Sequence, residues 1–109
     1  MSVDKIVSLV GFAIRARKAV FGVDGIAASG KRVHVILYDE KLSAGSVARL
    51  RTAAARTHAT LVRSVSDMAD VTHKLNCKAV GITDKQMAAA VVANLNSNFI
   101  EEPVSETDG

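Results

Sequence analysis

The chain has 109 residues, 49% of them hydrophobic and only 4% aromatic, with a formal charge of +3. That is one domain's worth of chain with enough apolar content for a sizeable core, and alanine and valine favour close helix–sheet packing over a large aromatic pocket. The single cysteine, Cys77, excludes an internal disulfide and a multi-thiolate metal site built within one chain.

Hydrophobic periodicity sets out the elements in order. Ile6, Leu9, Val10 and Ala13 predict a first helix, with Ser2 as its cap and Asp4 in its first turn. Ala19 to Phe21 is a short strand, and Asp24 to Ser29 a short helix bounded by Gly22 and Gly30. The β-branched run Val33 to Tyr38 reads as a central strand covered on both faces. Ser43 caps a helix reaching Thr57, with Val47, Leu50 and Ala54 inward and Arg49 and Arg56 on the solvent side. Thr60 to Val62 is a strand. A helix starting at Ser64 or Ser66 turns Met68, Val71 and Leu75 inward, and Lys78 to Ile82 is the next strand. Thr83 with Gln86 forms a capping-box pattern opening a last helix, with Met87, Val91 and Leu95 inward. Alternation of this kind predicts an α/β fold, a three-layer α/β/α sandwich around a small mixed sheet. Residues 1–97 are expected to form one domain and 98–109 an acidic, disordered tail.

Charge is unevenly placed. Residues 1–98 carry all fourteen lysines and arginines against seven acids, whereas 99–109 carry four acids and no base. A basic body with a short acidic end is common among nucleic-acid binders. His34, His58 and His73 lack the spacing of a zinc motif. The first residues lack a secretory pattern and no apolar run reaches the roughly 20 residues of a membrane span, so a cytoplasmic protein without metal or cofactor is expected.

Leu9 to Gly22 reads Leu-Val-Gly-Phe-Ala-Ile-Arg-Ala-Arg-Lys-Ala-Val-Phe-Gly. It resembles the opening of the bacterial YlxQ/YbxF-type proteins, small members of the kink-turn RNA-binding family named for ribosomal protein L-seven-Ae. Their pattern is close to Leu-Leu-Gly-Leu-Ala-x-Arg-Ala-Gly-Lys-x-x-x-Gly. Gly11, Ala13, Arg15, Ala16, Lys18 and Gly22 fall in register with it, and Arg17 stands where the family usually has glycine. Ala79-Val80-Gly81-Ile82-Thr83-Asp84-Lys85 resembles the family's late strand and helix start, typically Ala-Val-x-Ala-Ile-Thr-Asp. The resemblance covers roughly residues 4–96 and implies the same sandwich, RNA binding and association with the ribosome. Family members follow the glycine with a polar pair, often Asn-Glu, and place a lysine one helical turn later. This sequence departs from that with Val23-Asp24-Gly25-Ile26-Ala27-Ala28-Ser29, so Asp24 alone carries over.

The expected site gathers Arg15, Arg17, Lys18, Gly22, Asp24, Lys31, Arg32, Asn76, Cys77 and Lys78 at one end of the sandwich. The cations neutralise phosphates, and Asp24 and Asn76 touch base edges. The turn at Gly22 either presents amides to a phosphate or is an ordinary left-handed turn with Asp24 as a cap. In the family, the loop equivalent to Leu75-Asn76-Cys77-Lys78 holds small apolar residues against a flipped-out nucleotide, a role for Cys77; a lone cysteine beside a strand is otherwise simply buried. The expected partner is a structured RNA, ribosomal or kink-turn-like, and not DNA or a membrane. An adaptor that keeps the fold without the RNA-reading residues is the alternative. An enzyme using Asp39 and Glu40 is a third reading, in which these acids mark a crevice instead of capping a turn.

Overall fold

The computed structural model describes residues 4–30 and 32–104. Its elements in chain order are α1 (Lys5–Arg15), β1 (Ala19–Phe21), α2 (Val23–Ala27), β2 (Val35–Asp39), α3 (Ala44–Thr57), β3 (Thr60–Ser64), α4 (Met68–Thr72), β4 (Ala79–Ile82), α5 (Lys85–Ala93) and β5 (Phe99–Glu102). The strands form one sheet in the order β1-β4-β2-β3-β5. β2 and β3 are parallel, and every other neighbouring pair is antiparallel. This is the mixed three-layer α/β/α sandwich that the alternation predicts.

The layers follow from the two-residue period of the strands. Val35 and Leu37 of β2 point to one core with Val62, Val80 and Ile82. Ile36 and Tyr38 point to the other, with Leu61 and Ala79. α1, α4 and α5 cover the first through Ile6, Val10, Ala13, Met68, Val71, Ala88 and Val91. α2 and α3 cover the second through Ile26, Leu50, Ala53 and Ala54. All five residues of β2 are buried, as its unbroken apolar run requires. Each fully buried Ile or Leu stabilises the fold by about 2 kcal/mol. Gly81 packs closely on the second core, since a methyl there would lie 2.8 Å from Val33 Cγ1. Burial, and then the Glu102 carboxylate, raise the Tyr38 phenol above its ordinary pKa, against the opposing charges of Arg63 and Arg51.

Several boundaries differ from the sequence reading. Ser2 lies outside the described residues, and the cap of α1 is Asp4, whose carboxylate accepts from the Ile6 N–H at 2.9 Å. Ser43 caps α3 as expected. α5 is capped by Asp84 and not by Thr83, because the Thr83 N–H is still donating to the Lys18 carbonyl. α4 starts later than expected, behind Asp67, and stops at His73, which is in the left-handed region at φ 58°. There the Thr72 hydroxyl donates to the Met68 carbonyl and accepts from the Lys74 N–H. The helix therefore ends before Leu75, which is 84% exposed and not inward.

The largest correction concerns the end of the chain. Phe99–Glu102 is a strand on β3, with Phe99 fully buried and Val104 packed on the second core. β3 needs a neighbour, and backbone pairing supplies order where composition offers little. Arg63 adds ion pairs to Glu40 at 3.1 Å and Glu102 at 3.5 Å. The domain thus runs past residue 97 to at least Val104; residues 105–109 lie outside the described part. Among the described residues no helix is long and apolar enough to cross a membrane.

Candidate nucleic-acid interface

Strand register divides the expected site residues into two groups. β1 and β2 both run antiparallel to β4, so they are parallel to each other. At one end of the sheet β1, β2 and β3 finish and β4 begins, which places the Gly22 turn beside Lys78 and Asp39. At the other end Lys18, Arg32 and His34 lead into their strands. A parallel pair requires a crossover that carries the chain back to the starting end. α2 does this, so Arg32 lies at the opposite end of the sheet from the Gly22 turn. Lys31 itself lies outside the described residues. Gly22, Asp24, Asn76, Cys77 and Lys78 share the first end, whereas Arg15, Arg17, Lys18 and Arg32 lie at the second. The single converging rim expected from sequence is replaced by two surfaces.

The first surface is an open cavity of about 380 Å³ between Phe21, Gly22 and Val23, Leu42, and the loop 74–78. Gly22 caps α2 at φ 82° and ψ 156°, a left-handed-side conformation that favours glycine, and its N–H donates to the Ala79 carbonyl at 2.9 Å. That N–H is spent inside the fold. Cys77 is buried, with its thiol 3.3 Å from the Ala79 carbonyl, so it forms floor and not contact surface. The exposed apolar side chain of the loop is Leu75, which sequence reasoning assigned to the α4 interior. Exposed Lys74, Asn76 and Lys78 surround it. Lys74 Nζ lies 5.1 Å from the Phe21 ring centroid, a cation–π contact that holds the loop over β1.

Asp24 is exposed but not free, since Arg49 Nη1 binds its Oδ1 at 2.6 Å. Such a surface pair stabilises by about 0–1 kcal/mol. Its larger effect here is to offset the exposed negative charge that α2 carries just after the Gly22 turn. Arg56 donates to the Ala27 carbonyl at 3.1 Å, so Arg49 and Arg56, although solvent-exposed, both brace α2. The spacing of α3 shows they share a face; only the packing of α2 shows what that face meets.

At the second end, Arg15, Arg17 and Lys18 are exposed and make no ion pair among the described residues. Arg32 Nε donates to the Thr57 carbonyl at 3.2 Å, closing the last turn of α3. Arg17 has φ 62°, the left-handed region, where the resembled pattern carries glycine. Holding a side chain there costs roughly 1–2 kcal/mol, partly offset by glycine's greater freedom when unfolded. Arg17→Gly is therefore expected to raise the unfolding midpoint by roughly 3–5 °C, as read from matched thermal melts.

Asp39 and Glu40 are both engaged within the fold. Asp39 is buried with both carboxylate oxygens bonded to backbone N–H groups, and Glu40 pairs with Arg63. His34 is half-buried and lines a shallow cavity with Lys85 and Thr60 at the second end. Among the described residues no three His, Cys, Asp or Glu side chains group to hold a metal.

No family model matches the chain, and no curated protein matches it. Among solved structures it is similar to a protein with unknown function from Bacillus halodurans C. The TM-score is 0.75 at 16% identity, over 84% of this chain and 96% of that one. At that identity the likeness shows a shared fold.

Proposed function

We propose that this chain is a non-catalytic, ribosome-associated protein that binds structured RNA, and that it belongs to the kink-turn-binding family it resembles. The observation that carries this reading is the meeting of the Gly22 turn with the loop 74–78 around an exposed Leu75. These segments are more than 50 residues apart and are the two that the resemblance assigns to RNA. Leu75 takes the place expected of Cys77 and packs on an unstacked base. Asn76 hydrogen-bonds a base edge, and Lys74 and Lys78 neutralise neighbouring phosphates. The left-handed φ of Arg17, at a position where the family has glycine, supports the same alignment.

Filter binding of a kink-turn RNA and a simple hairpin, each at two salt concentrations, tests this. The kink-turn RNA is expected to be held more tightly, with log affinity falling by about 0.7–0.9 per phosphate contact for each tenfold rise in salt. Equal retention of the two RNAs removes the specific site, and retention of neither removes the RNA function. The adaptor reading draws on one observation, the Asp24–Arg49 pair, which withholds from base edges the one acid that the resemblance carries over. It predicts that neither RNA binds.

A further inference from the structure

The Gly22 corner leaves the basic end of the sheet without a use, and that end carries an exposed aromatic ring. Phe12 is 53% exposed on α1, although the chain has only four aromatic residues, and Tyr38 and Phe99 are buried. Arg15 lies one turn further along, its guanidinium folded back along the helix; a methyl on Gly11 would lie 3.4 Å from its Nη1. The chain then bends tightly, with the Ala16 N–H bonded to the Phe12 carbonyl and the Lys18 N–H to the Ala13 carbonyl. This places Arg17 and Lys18 just beyond the last turn of α1, the turn that follows Phe12. No carboxylate pairs with any of the three cations among the described residues. The acid that follows the adjoining Thr83, Asp84, caps α5, its Oδ1 accepting from the Met87 N–H at 2.9 Å, and forms no ion pair with these cations among the described residues.

We propose that Phe12, Arg15, Arg17 and Lys18 form a second contact for the same RNA, stacking an unpaired nucleotide that flanks its folded part. The proposal rests on the RNA-binding reading above. A π-face flanked by cations without acid partners is complementary to a base and its phosphates together. The place of the patch also favours one RNA over an unrelated anionic partner. Lys18 and Gly22 are joined by the edge strand β1, so at about 3.3 Å per residue these two residues are about 13 Å apart along one sheet edge. A strand leaving the corner at Gly22 runs directly onto Phe12's end of the sheet. The corner grips the folded RNA, and the patch takes what emerges from it.

Anisotropy titrations of the full chain with two labelled RNAs test this: a blunt kink-turn hairpin, and the same hairpin with a short single-stranded extension. The wild type is expected to bind the extended RNA about tenfold more tightly. Phe12→Ala, an exposed substitution, makes the two RNAs equal. Arg17→Gly with Lys18→Ser, which suits the left-handed backbone at Arg17, reduces the log–log salt slope for the extended RNA by about 1.5. If the wild type binds both RNAs alike and the variants change neither affinity nor slope, the second contact is overturned while the corner at Gly22 stands. If the wild type binds neither RNA, the RNA-binding reading falls and this inference falls with it.

Discussion

Leu75→Ser is expected to weaken binding to a kink-turn RNA by roughly 10- to 100-fold while leaving the unfolding midpoint unchanged. Leu75 is 84% exposed and belongs to neither core cluster, so its removal leaves no cavity and changes stability by no more than about 0.5 kcal/mol. Against an unstacked base the same side chain is covered, and covering a leucine is worth about 1.5–3 kcal/mol, or roughly 10- to 100-fold in affinity. Separating these two quantities is what makes the substitution informative. A titration and a thermal melt on one preparation are enough. Unchanged affinity removes Leu75 from the interface, and a fall in the midpoint shows that it serves the fold.

Asp39→Ala is expected to cost about 3 kcal/mol of stability. Asp39 is 2% exposed at the end of β2, with Oδ1 accepting from the Lys41 N–H at 2.9 Å and Oδ2 from the Met68 N–H at 3.3 Å. The first bond turns the chain toward α3, and the second ties the first turn of α4 to the central strand. Hydrogen bonds to a charged acceptor are worth about 1.5–3 kcal/mol, and a buried donor left without one costs about 1–3 kcal/mol. Alanine removes both bonds and strands the Met68 N–H. Asparagine keeps one acceptor and is expected to lose about half as much. Urea unfolding at unchanged m-value measures both variants. A loss below about 1 kcal/mol for alanine shows that the carboxylate is not what joins β2 to α4. Because α4 leads directly into the loop 74–78, a loosened α4 is also expected to lower RNA affinity.

How far the site could be read from sequence depended on the range of the forces that place it. The unbroken run Val33 to Tyr38 declares a buried strand, and Ser43 with the spacing of Val47, Leu50 and Ala54 declares α3. These are local signals, and the structure follows them. Leu75 keeps helical spacing with Met68 and Val71, yet the Thr72 hydroxyl and a left-handed His73 end α4 first. Periodicity describes which residues are apolar, not where the backbone stops. The charge count of the last eleven residues likewise hides a strand whose order comes from β3 and whose Glu102 faces Arg63.

By itself, the amino-acid order determined the alternating α/β layers, the two-faced burial of β2, and which stretches carry the cations. Only the tertiary structure decided which of those stretches meet. The reason is direction: β1 and β2 are parallel, so α2 must return the chain to the opposite end before Arg32. Nothing within either segment records that reversal, because strand direction is a relation between distant parts of the chain. It separates Arg17 and Lys18 from the Gly22 turn, while the early end of α4 leaves Leu75, not Cys77, at the surface of the corner.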